Sequence, residues 1–298
     1  MIMPFNYAHA LLALEAAEQT SAAAGVIALH PQAYRAGAMG PDPYFADTMP
    51  SPLFVKNRAD LAGHMHSADI RLLLDALFRC ADTPLKRAYT LGFLCHFTLD
   101  TNAHAYIFAR FPGSAHTPGE MHMDLPFAAL IGKTALITAP PRFFRLTRRE
   151  LAEIDALHAD IDKTLFDTDS RGVFARSYKK WVYLVNRLSF DIKGGKRRFF
   201  GWLESLAERP GRITGWLVTR DPADEARDIM NLRHETWAAP WAPAEERTES
   251  FLDLYNAALR ETPALLDAAA LGFESGDGEA ALTLAGGRCM NGGPVLCQ

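Results

Sequence analysis

The sequence predicts an all-α fold: a compact multi-helix bundle with a less regular C-terminal part. Three observations carry this. Apolar residues recur at three- and four-residue steps over long stretches, as on one face of a helix. Period-two alternation, which half-buried strands need, is scarce. Helix-start signals stand before several of the apolar stretches. Of the 298 residues, 49% are hydrophobic and 22% charged, enough to bury a sizeable core and unlike a disordered or fibrous chain.

In chain order, the first helix is predicted over 7–17, where His9 and Glu15 interrupt the apolar run. "GAMGPDPYFADTMPSPLFVKNR" at 37–58 is rich in Gly and Pro and reads as an ordered loop, of the kind that often carries function. Helices follow over 69–80 and 86–97, the second announced by "DTPLK" at 82–86 with Pro84 near its first turn. The run "GFLCHFTLDTNAHAYI" at 92–107 continues as a buried helix. "LTRRE" at 146–150 starts a helix over 150–166, and further periodic stretches span 176–192, 197–207 and 247–271. The glycine-dense end predicts an irregular tail or loose cap, dividing the chain into a helical domain over 1–272 and a tail over 273–298.

A formal net charge of -4 lacks the basic excess of a dedicated duplex-binding domain, so no stable nucleic-acid partner is expected. Cys80, Cys95, Cys289 and Cys297 show neither metal-type pairing nor disulfide-scaffold density, which points to a reduced cytoplasm. The N-terminus has no basic leader, and no apolar run approaches the roughly 18 residues of a spanning helix, so membrane contact is expected to be peripheral.

Steps of four residues advance about 40° beyond one helical turn, so His96, Asp100 and His104 share a face. Imidazole nitrogen and carboxylate oxygen are zinc ligands, and facing helices in a bundle can converge them on metal. The alternative is a set of satisfied polar residues along a helix edge. Twelve residues on, "HTPGEMHMD" repeats the step with His116, Glu120 and Asp124. There, Thr117, Pro118 and Glu120 also make a capping box, in which case Glu120 caps a helix and His122 is the reserve ligand. His9 begins an apolar helix, Asp42 sits between prolines where an Asx turn would also use it, and "GHMH" offers either His64 or His66.

The ordered series His9, Asp42, His66, His96, Asp100, His104, His116, Glu120 resembles the zinc-dependent phospholipase C family, related to the zinc nucleases. The resemblance rests on "GPDPYF", "GHMH", "GFLCHFTLDTNAH" and the H-x3-E-x3-D step, within 3–124; "NLRHETWAAP" at 231–240 is similar to a segment of bacterial members. It implies a compact helical domain with two or three Zn2+ ions that hydrolyses phosphodiesters. Asp42, His66, His96 and Asp100 would hold one ion, and His104, His116 and Glu120 a second. His9 and a bridging Asp100 would contribute to a third. Asp42 would be the general base or water-orienting group, and Asp100 would set the intermetal distance.

In the secreted phospholipases the third ion is also held by the mature N-terminal amine. The "MIM" start departs from that, and a start at Met3 with its removal would offer the Pro4 amine instead. A phospholipid is the expected substrate. A single-strand nuclease and a non-catalytic zinc-binding helical protein are the alternatives.

Two segments stay open. "KGGKRRFFGWLESL" at 193–206 sets Lys193, Lys196, Arg197 and Arg198 beside Phe199, Phe200 and Trp202. It reads as an anionic-interface element or, as the sequence favours, a basic helix start with its aromatics in the core. "DIMNLRHETWAAPWAP" brings Asn231, His234, Trp237 and Trp241 together, as a cleft wall or, preferably, a packing corner.

Overall fold

The computed structural model describes residues 6–48, 60–134, 144–185, 191, 194–208, 214, 217 and 227–293. Its helices are α1 (Asn6–Ala17), α2 (Ala24–Leu29), α3 (Pro31–Gly37), α4 (Asp60–Ser67), α5 (Ile70–Cys80), α6 (Pro84–Arg110) and α7 (His116–Leu130). They continue with α8 (Arg148–Phe166), α9 (Val173–Leu184), α10 (Gly195–Leu206), α11 (Phe251–Ser275) and α12 (Glu279–Ala285). A 3-10 turn covers Asp42–Thr48, and Trp237–Ala238 pairs antiparallel with Glu246–Arg247 as a minimal β-ribbon. The predicted all-α class is the observed one.

Helix α6 is the axis. Thr83 caps it by accepting from the Lys86 N–H, and Pro84 fills the first turn, where no N–H is needed. It runs 27 residues, about 40 Å, and is buried nearly all round by α11, α3, α1, α2 and α8. Burial on every side explains why its sequence shows little amphipathic contrast. Thr147 and Glu150 form a reciprocal capping box that starts α8 within the predicted "LTRRE". Ser250 and Asp253 do the same for α11, which therefore begins after the apolar periodicity does.

Two pairs of backbones meet at glycine. A Cβ on Gly92 would lie 1.9 Å from the Tyr34 carbonyl oxygen, and one on Gly37 would lie 2.0 Å from that of Tyr89. Helix α3 therefore rests directly on α6, and the chain leaves α3 straight into the 3-10 turn. The Gly- and Pro-rich stretch is helical and buried over its described part. The Tyr44 hydroxyl donates to Asp162 (2.8 Å), and Asp47 pairs with Arg176 (2.7 Å) and Lys180 (3.4 Å). These anchors from α8 and α9 hold the turn that presents Asp42. Residues 49–58 of that stretch lie outside the described residues.

The glycine-dense end is more ordered than its composition suggests. Helix α12 packs on α11 and α5. The Arg288 carbonyl accepts from the Ile70 N–H, and the Asn291 N–H donates to the His66 carbonyl. Helix α10 differs most from expectation. Its aromatics do not enter the core: Phe199 and Trp202 are 56% and 58% exposed. Lys193 lies outside the described residues.

His158 of α8 is fully buried, stacked on Phe174 at 3.7 Å, and shares a 2.7 Å hydrogen bond with the Tyr89 hydroxyl. Burial pushes its imidazolium down to about 3. Below the ordinary value near 6.5 the unfolded chain takes up a proton that the folded chain refuses, so stability falls as pH drops from there toward 3. About 2 kcal/mol should be lost by pH 5. Denaturant unfolding across pH should show a shallower acid limb for His158→Gln than for the parent; parallel curves would refute it.

Candidate metal centre

Helix α6 carries His96, Asp100 and His104 on one face, all buried. Around them α1 supplies His9, the 3-10 turn Asp42, α4 His66, and α7 His116 and Glu120. Asp100 is the hub. Its Oδ1 is 3.2 Å from His9 Nε2, while its Oδ2 is 3.0 Å from His96 Nε2, 3.3 Å from His66 Nε2 and 3.7 Å from His104 Nδ1. Asp42 Oδ1 is 3.3 Å from His66 Nε2 and 3.9 Å from His96 Nε2. Glu120 Oε1 is 3.4 Å from Nε2 of both His104 and His116.

Three donor sets result: His9, Asp42 and His96; His66, His96 and Asp100; His104, His116 and Glu120. Within each set the donor atoms lie within 4.8 Å of one another. The chemistry of the sets fits a cation. His66 Nδ1 is 2.7 Å from the Ala62 carbonyl oxygen and His104 Nδ1 is 2.5 Å from that of Met290. A carbonyl only accepts, so each Nδ1 carries a hydrogen and each Nε2 is turned toward the cluster. Buried Asp42 Oδ1, Asp100 Oδ2, Glu120 Oε2 and both ring nitrogens of His96 have no hydrogen-bond partner. Unpaired buried polar atoms cost about 1–3 kcal/mol each, and their concentration on ligand-type groups is what a metal would relieve.

Electrostatics agree. Burial opposes charge on His66, yet the Asp100 and Asp42 carboxylates beside it outweigh that and push His66 up to about 10. His104 is pushed up to about 9 against the same burial, by Asp100 and Glu120. Burial also works against ionised Asp100, but the surrounding His104, His96, His66 and His9 hold it well below the usual carboxylate range. His96 and His116 are lowered, chiefly by burial. Gly40 makes room for the cluster: it has φ of 49°, and a Cβ there would lie 2.3 Å from His96 Cδ2.

The structure thus brings His9, Asp42, His66, His96, Asp100, His104, His116 and Glu120 together. Of the "GHMH" pair, His66 faces inward and His64 is exposed beside Phe166. Helix α7 begins at His116, one residue before Thr117, with Ala115 as its cap residue, and Glu120 turns to His104 and His116. His122 lies elsewhere, lining a cavity of about 520 Å³ with Arg110 and Arg227. Asp124 accepts from the Tyr7 and Ala8 N–H groups, both at 3.1 Å, and so caps α1 just ahead of His9. Pro4 lies outside the described residues.

The Met290 carbonyl was not foreseeable as a support for His104, because a backbone oxygen leaves no mark in a sequence. Nor was Phe108, whose ring lies 4.4 Å from that of His116 and is followed outward by Trp241 at 5.8 Å. In the 231–241 segment, Asn231 donates to the Glu235, Thr248 and Glu249 carbonyls, and Trp237 packs edge-on to Tyr106 at 5.3 Å. That is the geometry of a packing corner, with Trp241 alone reaching toward His116.

Fold and site together define a helical protein whose buried histidine and carboxylate clusters are candidate metal-binding sites. Residues 3–174, more than half of the chain, match the family model of zinc dependent phospholipase C, and the chain belongs to that family. No curated protein and no solved structure matches it. Among the described residues no helix is long and apolar enough to cross a membrane.

Proposed function

We propose that the protein is a zinc-dependent phosphodiester hydrolase that releases phospholipid head groups. The observation that carries this reading is the convergence of three donor sets, two of which share His96, around Asp100, whose carboxylate also reaches His9 and His104 of the neighbouring sets. Asp42, His66, His96 and Asp100 would hold one zinc, His104, His116 and Glu120 a second, and His9 with Asp100 would contribute to a third. Bound zinc lowers the pKa of water toward about 7, polarises a phosphoryl oxygen and stabilises the departing oxygen.

The chain itself does the rest. Asp42, fixed on a buried turn, orients the attacking water and accepts its proton. Asp100 fixes the spacing of the groups on either side of it. The Ala62 and Met290 carbonyls hold His66 and His104 in the tautomer that leaves Nε2 for the ligand position. His116 is the most open of the ligand side chains at 13% exposure, against 0–6% for His9, Asp42, His66, His96, Asp100, His104 and Glu120. Substrate therefore approaches past His116, along the Phe108 and Trp241 rings.

Zinc analysis of the purified protein is expected to give two or three equivalents. Hydrolysis of a chromogenic phosphocholine ester should be abolished by chelation and lowered roughly 10²–10⁴-fold by Asp42→Asn. Head-group release from phosphatidylcholine vesicles should accompany it. Cleavage of single-stranded oligonucleotides in place of phosphatidylcholine would favour the nuclease reading, and bound zinc without turnover on any ester the non-catalytic one.

A further inference from the structure

Helix α10 carries its apolar stripe outward. Phe199, Trp202, Leu203 and Leu206 recur at helical spacing and fall within a sector of about 100° on the helix circumference. They are 56%, 58%, 37% and 65% exposed. An amphipathic helix of a globular domain normally turns such a stripe to the core. Here the inward side holds the polar anchor: Glu204, 5% exposed, accepts from the Thr214 N–H at 2.9 Å and the Thr214 hydroxyl at 2.6 Å.

Charge follows the same division. Lys196 and Arg198 fall on the two edges of the apolar sector, Arg197 projects from the opposite side, and Glu204 is the helix's lone acid. The exposed surface of α10 is therefore aromatic and aliphatic at its centre and basic at its N-terminal end, within a chain of net charge -4. Charge of that sign, placed beside a stripe able to enter the headgroup boundary, is complementary to an anionic bilayer surface.

We infer that α10 is a membrane-surface docking element, which inserts Phe199, Trp202, Leu203 and Leu206 into the interface of an anionic lipid layer. Lys196 and Arg198, flanking the stripe, face the lipid phosphates. This deepens the phospholipid reading and rests on it, because a hydrolase of bilayer lipids gains from residence at the bilayer.

The test uses full-length, zinc-loaded protein sedimented with vesicles of phosphatidylcholine alone or with about a quarter phosphatidylglycerol. The parent should bind the anionic vesicles, and less so as salt rises. The double variant Phe199→Ser, Trp202→Ser and, separately, Arg198→Glu should each bind them about tenfold or more weakly. Zinc content and hydrolysis of the soluble chromogenic ester should stay at parental levels in both.

Failure of the parent to bind, or equal binding by the variants, would overturn the inference. So would light scattering that shows a parental dimer and monomeric variants, because a second copy would then cover the stripe. Vesicle binding without hydrolysis of any phospholipid would count against the substrate reading alone.

Discussion

Asp100→Asn should strip the centre of at least one zinc and lower kcat/KM on a phosphodiester about 10³-fold or more. The argument starts from four imidazoles. His9, His66, His96 and His104 all lie within 3.0–3.7 Å of the Asp100 carboxylate oxygens. No other side chain of the cluster touches as many, and beyond His66 and His96 of its own donor set it reaches His9 and His104 of the other two. An amide keeps the size and one acceptor oxygen but loses the charge, and it presents an NH2 donor where a second carboxylate oxygen faced three imidazoles. A cation held there loses a shared anionic ligand.

The charge also sustains its neighbours, because Asp100 helps raise both His66 and His104. Metal analysis, steady-state kinetics and a zinc-supplemented assay check the outcome together. Full zinc content with parental turnover in Asp100→Asn would show that the carboxylate is structural.

Part of this centre was legible in the sequence for a simple reason. His96, Asp100 and His104 lie on one helix, and helical periodicity alone puts their side chains together. The pairing of His116 with Glu120 across one turn of α7 is readable in the same way. Nothing in the periodicity says that α7 faces α6, or that a loop aspartate between prolines is buried beside them. Asp42, His66 and His9 entered through family resemblance, and the structure supplies the distances.

Asp124 shows how far spacing can mislead. It sits one turn beyond Glu120, with the right chemistry for a ligand, yet its carboxylate caps α1. Helix α10 is a further case: its four apolar positions are plain in the sequence, but a stripe does not announce whether it points to the core or away. The glycine-dense end was unreadable for another reason. Its contacts to His66 and His104 run through the Asn291 N–H and the Met290 carbonyl, and backbone groups are the same in every residue.

The platform under the centre is set by Gly92 and Gly37, and Gly92→Ala should destabilise the protein by about 3 kcal/mol. A Cβ at Gly92 would meet the Tyr34 carbonyl oxygen at 1.9 Å and the Ala38 nitrogen at 2.9 Å. Both are backbone atoms, so no side chain can rotate away. Relief requires α3 to lift from α6, and α3 leads within a few residues to Gly40 against the His96 ring and to Asp42. Loss of stability should therefore come with weaker zinc retention.

Gly63 in α4 is the control, since a Cβ there meets nothing within 4 Å. Gly63→Ala should raise stability by about 0.5–1 kcal/mol through helix propensity and a less flexible unfolded chain. Thermal and denaturant unfolding of the two alanine variants should move in opposite directions. Equal stability of Gly92→Ala and the parent would mean that α3 and α6 are not in backbone contact, and that Asp42 is held by its α8 and α9 anchors alone.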